Sequence, residues 1–208
     1  MRMIVKVCGL TRQQDADAAM AQAVDMCGFI FHAASPRAVT PEVAAGIDTR
    51  SMKRVGVFVM DDAEEIRRIM DVARIDIAQL HGRQSPECAA IVGPERVMRV
   101  VWPDRHPHRA SLHTELQRHA STCSWYLLDA GFAGGGSGRR LEWMDLAGLR
   151  PPHPWMLAGG LRPDNVRRAL SQCAPDGVDF NSGIETAPGL KDAALMEAAV
   201  RAARAPMP

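Results

Sequence analysis

Residues 155–185 read WMLAGGLRPDNVRRALSQCAPDGVDFNSGIE, two short apolar runs each followed by a small polar or glycine turn and a helix-like segment. Trp155 to Ala158 and Gly177 to Phe180 have the length and character of buried parallel strands. Gly159 and Gly160 carry no side chain to block close approach, and Pro163 suits the first position of a helix. Asn181, Ser182 and Gly183 repeat the arrangement after the second run. Each turn places backbone amides at a helix N-terminus, so a phosphate between them would collect amide hydrogen bonds and the positive ends of two helices. Taken singly, either is an ordinary strand-to-helix turn. Two in succession gain weight if the runs are strands seven and eight of a barrel, where phosphate is often held.

Working outward from this stretch gives that count. Ile4 to Cys8 is a first strand, and Thr11 with Gln14 has the spacing of a capping box before a helix with Ala16, Ala19, Met20 and Ala23 on its apolar face. Cys27 to Phe31 is a second strand, followed by Ser35-Pro36-Arg37 and a helix opened by Thr40-Pro41. Arg54 to Val59 is the third, and Asp61 or Asp62 caps a helix with Ile66, Ile69, Met70 and Ala73 on one face. Ile75 to Leu80 is the fourth, ended by His81-Gly82, with Ser85-Pro86-Glu87 starting a helix. Arg96 to Trp102 and Trp125 to Asp129 are the fifth and sixth. Leu112, Leu116 and Ala120 stripe the helix between them. A glycine-rich stretch, Gly131 to Gly138, and a shorter helical segment around Glu142 to Leu146 follow strand six. Lys191 to Ala203 is a closing helix. Eight strands and eight helical segments in strict alternation, without a Gly-x-Gly-x-x-Gly after strand one, predict a (β/α)8 TIM barrel over 1–208 rather than an open doubly wound sheet.

Composition narrows the function. The chain has 208 residues, enough for one domain, and 25 Lys and Arg against 24 Asp and Glu, a net charge of +1. That balance carries no electrostatic footprint for nucleic acid or an anionic membrane, so the expected partner is a small molecule, and the paired turns make it a phosphorylated one. No apolar run approaches the ~20 residues needed to span a bilayer, and the N-terminus lacks a signal-peptide pattern. The five cysteines, 8, 27, 88, 123 and 173, are odd in number, scattered and without a Cys-x-x-Cys pair. A disulfide framework and a structural zinc site are therefore disfavoured, and a reducing cytoplasm is expected. Whether the chain is a monomer or a homodimer is not written in the sequence.

Functional groups in a barrel sit at the C-terminal ends of strands and in the loops beyond them. Those positions hold Cys8, Arg37, His81, Asp129, Asp179 and Ser182. Cys8, before a helix N-terminus, reads either as a base or nucleophile with a lowered pKa or as a small buried apolar residue. Asp129 closes an apolar strand ahead of the glycine-rich stretch, where desolvation can keep it protonated as an acid; the alternative is a carboxylate tying down loop amides. Across a barrel mouth these two could serve opposite ends of a small substrate as base and acid. Arg37 could hold a carboxylate with its planar fork or lie solvated. His81 reads as an organiser of the strand-four turn more than as a base, and Asp179 either orients substrate or ties loops together.

The residues resemble the phosphoribosylanthranilate isomerase family of tryptophan biosynthesis. The matching pieces are Lys6 to Thr11, Gly28 to Phe31 with Ser35-Pro36-Arg37, Val55 to Val59, Gln79 to Gly82, Leu128-Asp129 with Gly135 to Gly138, Leu157 to Leu161, Gly177 to Asp179 and Ser182 to Glu185. The resemblance implies a cofactor-free, metal-free barrel enzyme. It would convert N-(5-phosphoribosyl)anthranilate to 1-(2-carboxyphenylamino)-1-deoxyribulose 5-phosphate by an Amadori rearrangement. It implies Asp129 as the acid that protonates the ribose ring oxygen, Cys8 as the base at C2, and Arg37 facing the anthranilate carboxylate. Gly159, Gly160, Ser182 and Gly183 match the phosphate grip. Asn181 stands where serine is more common, Arg83 where an acid is, and His32-Ala33-Ala34 is an unusual entry to Arg37. Three other readings compete. A histidine-pathway sugar-phosphate isomerase would carry a carboxylate at the end of strand one and a second phosphate grip. A non-catalytic phosphate binder would have lost the acid or base. A cysteine hydrolase would need His81 beside Cys8.

Overall fold

The computed structural model describes residues 2–60, 62–129 and 143–206. Eight parallel strands close into a barrel in sequence order, β1 (Ile4–Val7), β2 (Met26–Ile30), β3 (Lys53–Phe58), β4 (Ile77–Leu80), β5 (Val97–Val101), β6 (Trp125–Asp129), β7 (Trp155–Ala158) and β8 (Gly177–Phe180). Closure is made by β1 against β8, with Lys6 opposite Asp179 and Val7 opposite Phe180. The outer layer holds α1 (Gln13–Ala21), α2 (Pro41–Gly46), α3 (Ala63–Val72), α4 (Pro86–Val92), α5 (Arg109–Arg118), α6 (Val166–Gln172) and α7 (Ala193–Arg204). The expected sixth helical segment is a 3-10 turn, Trp143–Leu146. The glycine-rich stretch Gly131 to Gly138, Glu142 and Asp61 lie outside the described residues.

Side chains alternate between the two faces of a strand, so each strand sends one set inward and one toward the helices. Val5 and Val7 of β1 pack outward against the helices in the larger core. Met26, Val55, Met98, Val100, Leu127, Met156 and Ala158 fill the barrel interior. The same alternation turns Lys6 and Cys8, Gln79 and His81, and Asp179 and Asn181 inward as pairs. Above the apolar plug the interior is therefore polar.

Several local expectations differ from the structure. Thr11 does not cap α1; its hydroxyl donates to the Gly189 carbonyl at 2.8 Å, and the helix begins after Arg12. Ala23 lies beyond α1 with φ +50 and is exposed. Pro163 belongs to a turn, and α6 begins at Val166. The segment after β8 does not enter a helix directly. It makes a 3-10 turn, Ser182–Ile184, and then an antiparallel hairpin of β9 (Glu185–Ala187) and β10 (Leu190–Lys191), so Lys191 is a strand residue. Other caps follow local chemistry. Thr40 accepts from the Val43 amide, Asp62 from those of Glu64 and Glu65, and Ser85 from that of Cys88.

Candidate active site

The mouth formed by the C-terminal strand ends opens into a cavity of about 720 Å³, within the range of small-molecule sites. Cys8, Asp129, Asp179, Gly159, Gly160, Ser182 and Gly183 all line it, as do His81 and Gln79. Cys8 continues β1, its amide donating to the Phe180 carbonyl at 2.8 Å. Asp129 ends β6 opposite Ala158 of β7. The two reactive candidates thus reach the cavity from strands on different sides of the barrel. The other four cysteines are buried outside its lining.

The two turns after β7 and β8 meet. Gly159 and Gly160 have φ of +99 and +68, a left-handed conformation that favours glycine. A Cβ on Gly183 would overlap the Leu161 carbonyl, so a side chain there would force the turns apart. Only bare backbone permits this approach, and residues of both turns line the cavity.

The floor is a buried charge cluster. Lys6 Nζ donates to Asp179 Oδ2 at 2.9 Å, with side chains 0% and 7% exposed. Burial opposes the charge on Lys6, but Asp179 and Cys8 outweigh it and its pKa rises. Burial pushes the Asp179 carboxyl up, and Lys6 pulls against it. Burial also pushes the Cys8 thiol above its ordinary 9.0, with Lys6 the largest opposing influence and Lys191 a lesser one. Sequence reading missed Lys6, although a lysine two residues before Cys8 in an apolar strand must share its inward face.

On the opposite wall, Gln79 Nε2 lies 3.1 Å from His81 Nδ1, and His81 Nε2 lies 3.7 Å from Asp129 Oδ2. With the amide nitrogen donating, the ring proton resides on Nε2 and faces the carboxylate. Burial lowers the His81 pKa, Asp129 opposing, which favours the neutral ring. The edge of Trp102, 5.4 Å between ring centroids, fixes the ring further. Gln79 Oε1 and Asp179 Oδ1 are buried without a hydrogen-bond partner among the described residues. An unmet buried acceptor is costly, and both residues line the cavity, where a ligand hydroxyl can satisfy them.

Arg37 is placed differently from the rest. It is not among the residues lining the cavity, and Glu185 grips it, Nε at 2.9 Å and Nη2 at 2.7 Å. Lys191 Nζ donates to the same carboxylate at 2.7 Å and to Asn181 Oδ1 at 2.9 Å. Although burial opposes ionisation of Glu185, Arg37 and Lys191 hold its pKa below the ordinary value. The hairpin of β9 and β10 thereby fastens Arg37 beside the mouth.

A sequence model of the family described as N-(5'phosphoribosyl)anthranilate (PRA) isomerase matches residues 5–202. The chain is similar to the N-(5'-phosphoribosyl)anthranilate isomerase of Desulfovibrio desulfuricans, 61% identical over 201 residues that cover 97% of this chain and 95% of that one. It also resembles the crystal structure of phosphoribosyl anthranilate isomerase from Thermotoga maritima, with a TM-score of 0.85, 29% identity and coverage of 97% and 98%. A structure of such an isomerase in complex with reduced 1-(o-carboxyphenylamino)-1-deoxyribulose 5-phosphate matches with a TM-score of 0.82 and 28% identity, covering 97% of this chain and 98% of that one.

Proposed function

The chain belongs to the N-(5'-phosphoribosyl)anthranilate isomerase family, and we propose that it acts through Asp129 as general acid and Cys8 as general base. It is an isomerase of tryptophan biosynthesis, of the aldose–ketose, Amadori type. The observation that carries the residue assignment is the placement of Cys8 and Asp129 at the ends of β1 and β6, on one cavity whose far end is the paired turns.

Seated by its phosphate on the amides of Gly159, Gly160, Ser182 and Gly183, the substrate lays its sugar between the two walls. Asp129 gives a proton to the ribose ring oxygen, the C1–O bond breaks, and the electron pair on the anilino nitrogen forms a C1=N iminium. Cys8, as thiolate, then removes the proton on C2, giving an enolamine that tautomerises to the 2-ketone. C1 is reduced as C2 is oxidised, so the reaction balances internally. His81, with its proton on Nε2, supports the Asp129 carboxylate once its proton has left. Lys6 supports the Cys8 thiolate, and Asp179 Oδ1 and Gln79 Oε1 accept from ribose hydroxyls.

Arg37 takes the anthranilate carboxylate with its Nη1 side, Glu185 keeping the Nε–Nη2 edge and setting its direction. Residues 1–208 act as one barrel domain in the cytoplasm, as a monomer or homodimer. The reaction is tested by generating phosphoribosylanthranilate in place from anthranilate and phosphoribosyl pyrophosphate and following loss of its fluorescence. Conversion by the purified chain is expected. A folded chain that leaves the fluorescence unchanged excludes this activity.

A further inference from the structure

Arg162 follows the Gly159–Gly160 turn and has no part in the reaction as described. Its backbone is locked to that turn, the Arg162 amide donating to Asn165 Oδ1 at 2.7 Å while Asn165 Nδ2 donates to the Gly160 carbonyl at 3.0 Å. Its stem runs over the second turn, since a Cβ built on Gly183 would lie 2.6 Å from Arg162 Cγ. The residue lines the cavity. Its guanidinium holds Asp164, Nε to Oδ1 at 3.1 Å and Nη2 to Oδ2 at 3.3 Å, with side chains 57% and 69% exposed.

Charge balance gives this arginine a task. A phosphate monoester carries roughly −1.5 to −2 charges at neutral pH, and backbone amides offer only partial charges against it. Among the described residues, the arginines and lysines lining the cavity are Arg162 and Arg168. Arg168 lies over the Trp143 ring, 5.1 Å from its centroid. Lys6 and Lys191 are committed to the buried carboxylates of Asp179 and Glu185. Arg162 alone of these is tied only to an exposed acid, and exposed pairs contribute little, so a dianion at the turns competes for it on favourable terms.

We propose that Arg162 is the cationic arm of the phosphate grip, exchanging Asp164 for the substrate phosphate, with Asp164 restraining the arm while the grip is empty. The proposal rests on the reading of the two turns as a phosphate site. It adds a binding residue that sets affinity for the phosphorylated end of the substrate.

The test combines calorimetric titration of the full chain with inorganic phosphate and steady-state kinetics on N-(5'-phosphoribosyl)anthranilate. It uses the parent, Arg162→Ala, Arg162→Lys and Asp164→Ala, with a thermal melt recorded for each. Loss of one charge-assisted bond predicts that Arg162→Ala weakens phosphate binding and raises KM by about tenfold, moving kcat less. Arg162→Lys retains part of the affinity. Asp164→Ala shifts phosphate affinity the opposite way, tightening it by about two- to threefold, the scale of an exposed pair. A folded Arg162→Ala with parental phosphate affinity overturns the proposal, and so does an Asp164→Ala that binds phosphate no better than the parent. If phosphate affinity follows Arg162 while the parent turns over no substrate, the reaction assignment fails and the arm stands. If the parent is active and Arg162→Ala equals it in both measurements, the arm alone fails.

Discussion

Replacing Gly28 with alanine places a methyl group against the proposed base. The added Cβ would lie 2.7 Å from Cys8 Sγ, 3.0 Å from Cys8 Cα and 3.2 Å from Cys8 Cβ. Carbon atoms in good packing stand about 3.5–4.0 Å apart, so the methyl sits too close to the Cys8 backbone by roughly half an ångström. Rotating the Cys8 side chain relieves the sulfur clash but not the backbone one. Strands β1 and β2 must therefore separate locally, in a barrel whose closure gives them little freedom. Overpacking of this kind costs about 1–3 kcal/mol. For a chain of this size each kcal/mol lowers Tm by about 2–4 °C, so a fall of about 2–12 °C is expected. Misplacing a reactive group by an ångström costs about a hundredfold in rate, so half that displacement predicts a loss of about tenfold in kcat. Gly46→Ala is the control, because nothing lies within 4 Å of a Cβ there and the residue sits at the exposed end of α2. It should leave kcat unchanged and hold or raise Tm. Melting by circular dichroism and turnover by fluorescence measure both. A Gly28→Ala protein that melts and turns over like the parent would refute the reasoning, since Cys8 would then not be packed against β2 as described.

Lys6→Met leaves Asp179 buried without its cation and should destabilise the fold by about 3–5 kcal/mol, read by urea denaturation; adding Asp179→Leu should recover much of that loss. The raised Cys8 pKa has a definite sign: at pH 7 less thiolate is present than in a free thiol of ordinary pKa 9.0. Alkylation of Cys8 by iodoacetamide should therefore accelerate with a midpoint above pH 9, and a midpoint near 7 would contradict the burial described. Glu185 lies below its ordinary 4.5 because Arg37 and Lys191 bind its anion. Its stabilisation is present above the unfolded value and is lost as pH falls through the lower folded value, so Glu185→Gln should flatten the acid side of the Tm profile below the ordinary 4.5. Asp62→Ala removes a cap that accepts from two amides and should cost about 1 kcal/mol in the same melt.

Strands β6, β7 and β8 carry the same ends in the sequence pattern and in the barrel, because each is an apolar run stopped by a polar or glycine turn. Thr11 was not legible as a tertiary donor: its partner, Gly189, is 178 positions away, and nothing local distinguishes it from a capping threonine. The hairpin of β9 and β10 had a signal in Pro188-Gly189, a turn dipeptide between short extended pieces, with Gly189 at φ +81. Of the site residues, those at strand ends follow from the barrel rule alone. Gln79 and Lys6 could have been found by stepping two residues back from His81 and Cys8. The grip of Glu185 on Arg37 could not, since it joins segments 148 positions apart and nothing in the pattern of either segment names the other as its partner.

Cys8 and Asp129 divide the proposed chemistry between them, one as base and the other as acid. The decisive measurement is kcat on N-(5'-phosphoribosyl)anthranilate for the parent, Cys8→Ala and Asp129→Asn, each checked for a parental melt and for retained phosphate binding. Loss of a positioned acid or base predicts a fall of about 10²–10⁴-fold in each variant with phosphate affinity preserved. A folded Cys8→Ala or Asp129→Asn protein turning over at the parental rate would remove that residue from the chemistry and contradict the mechanism.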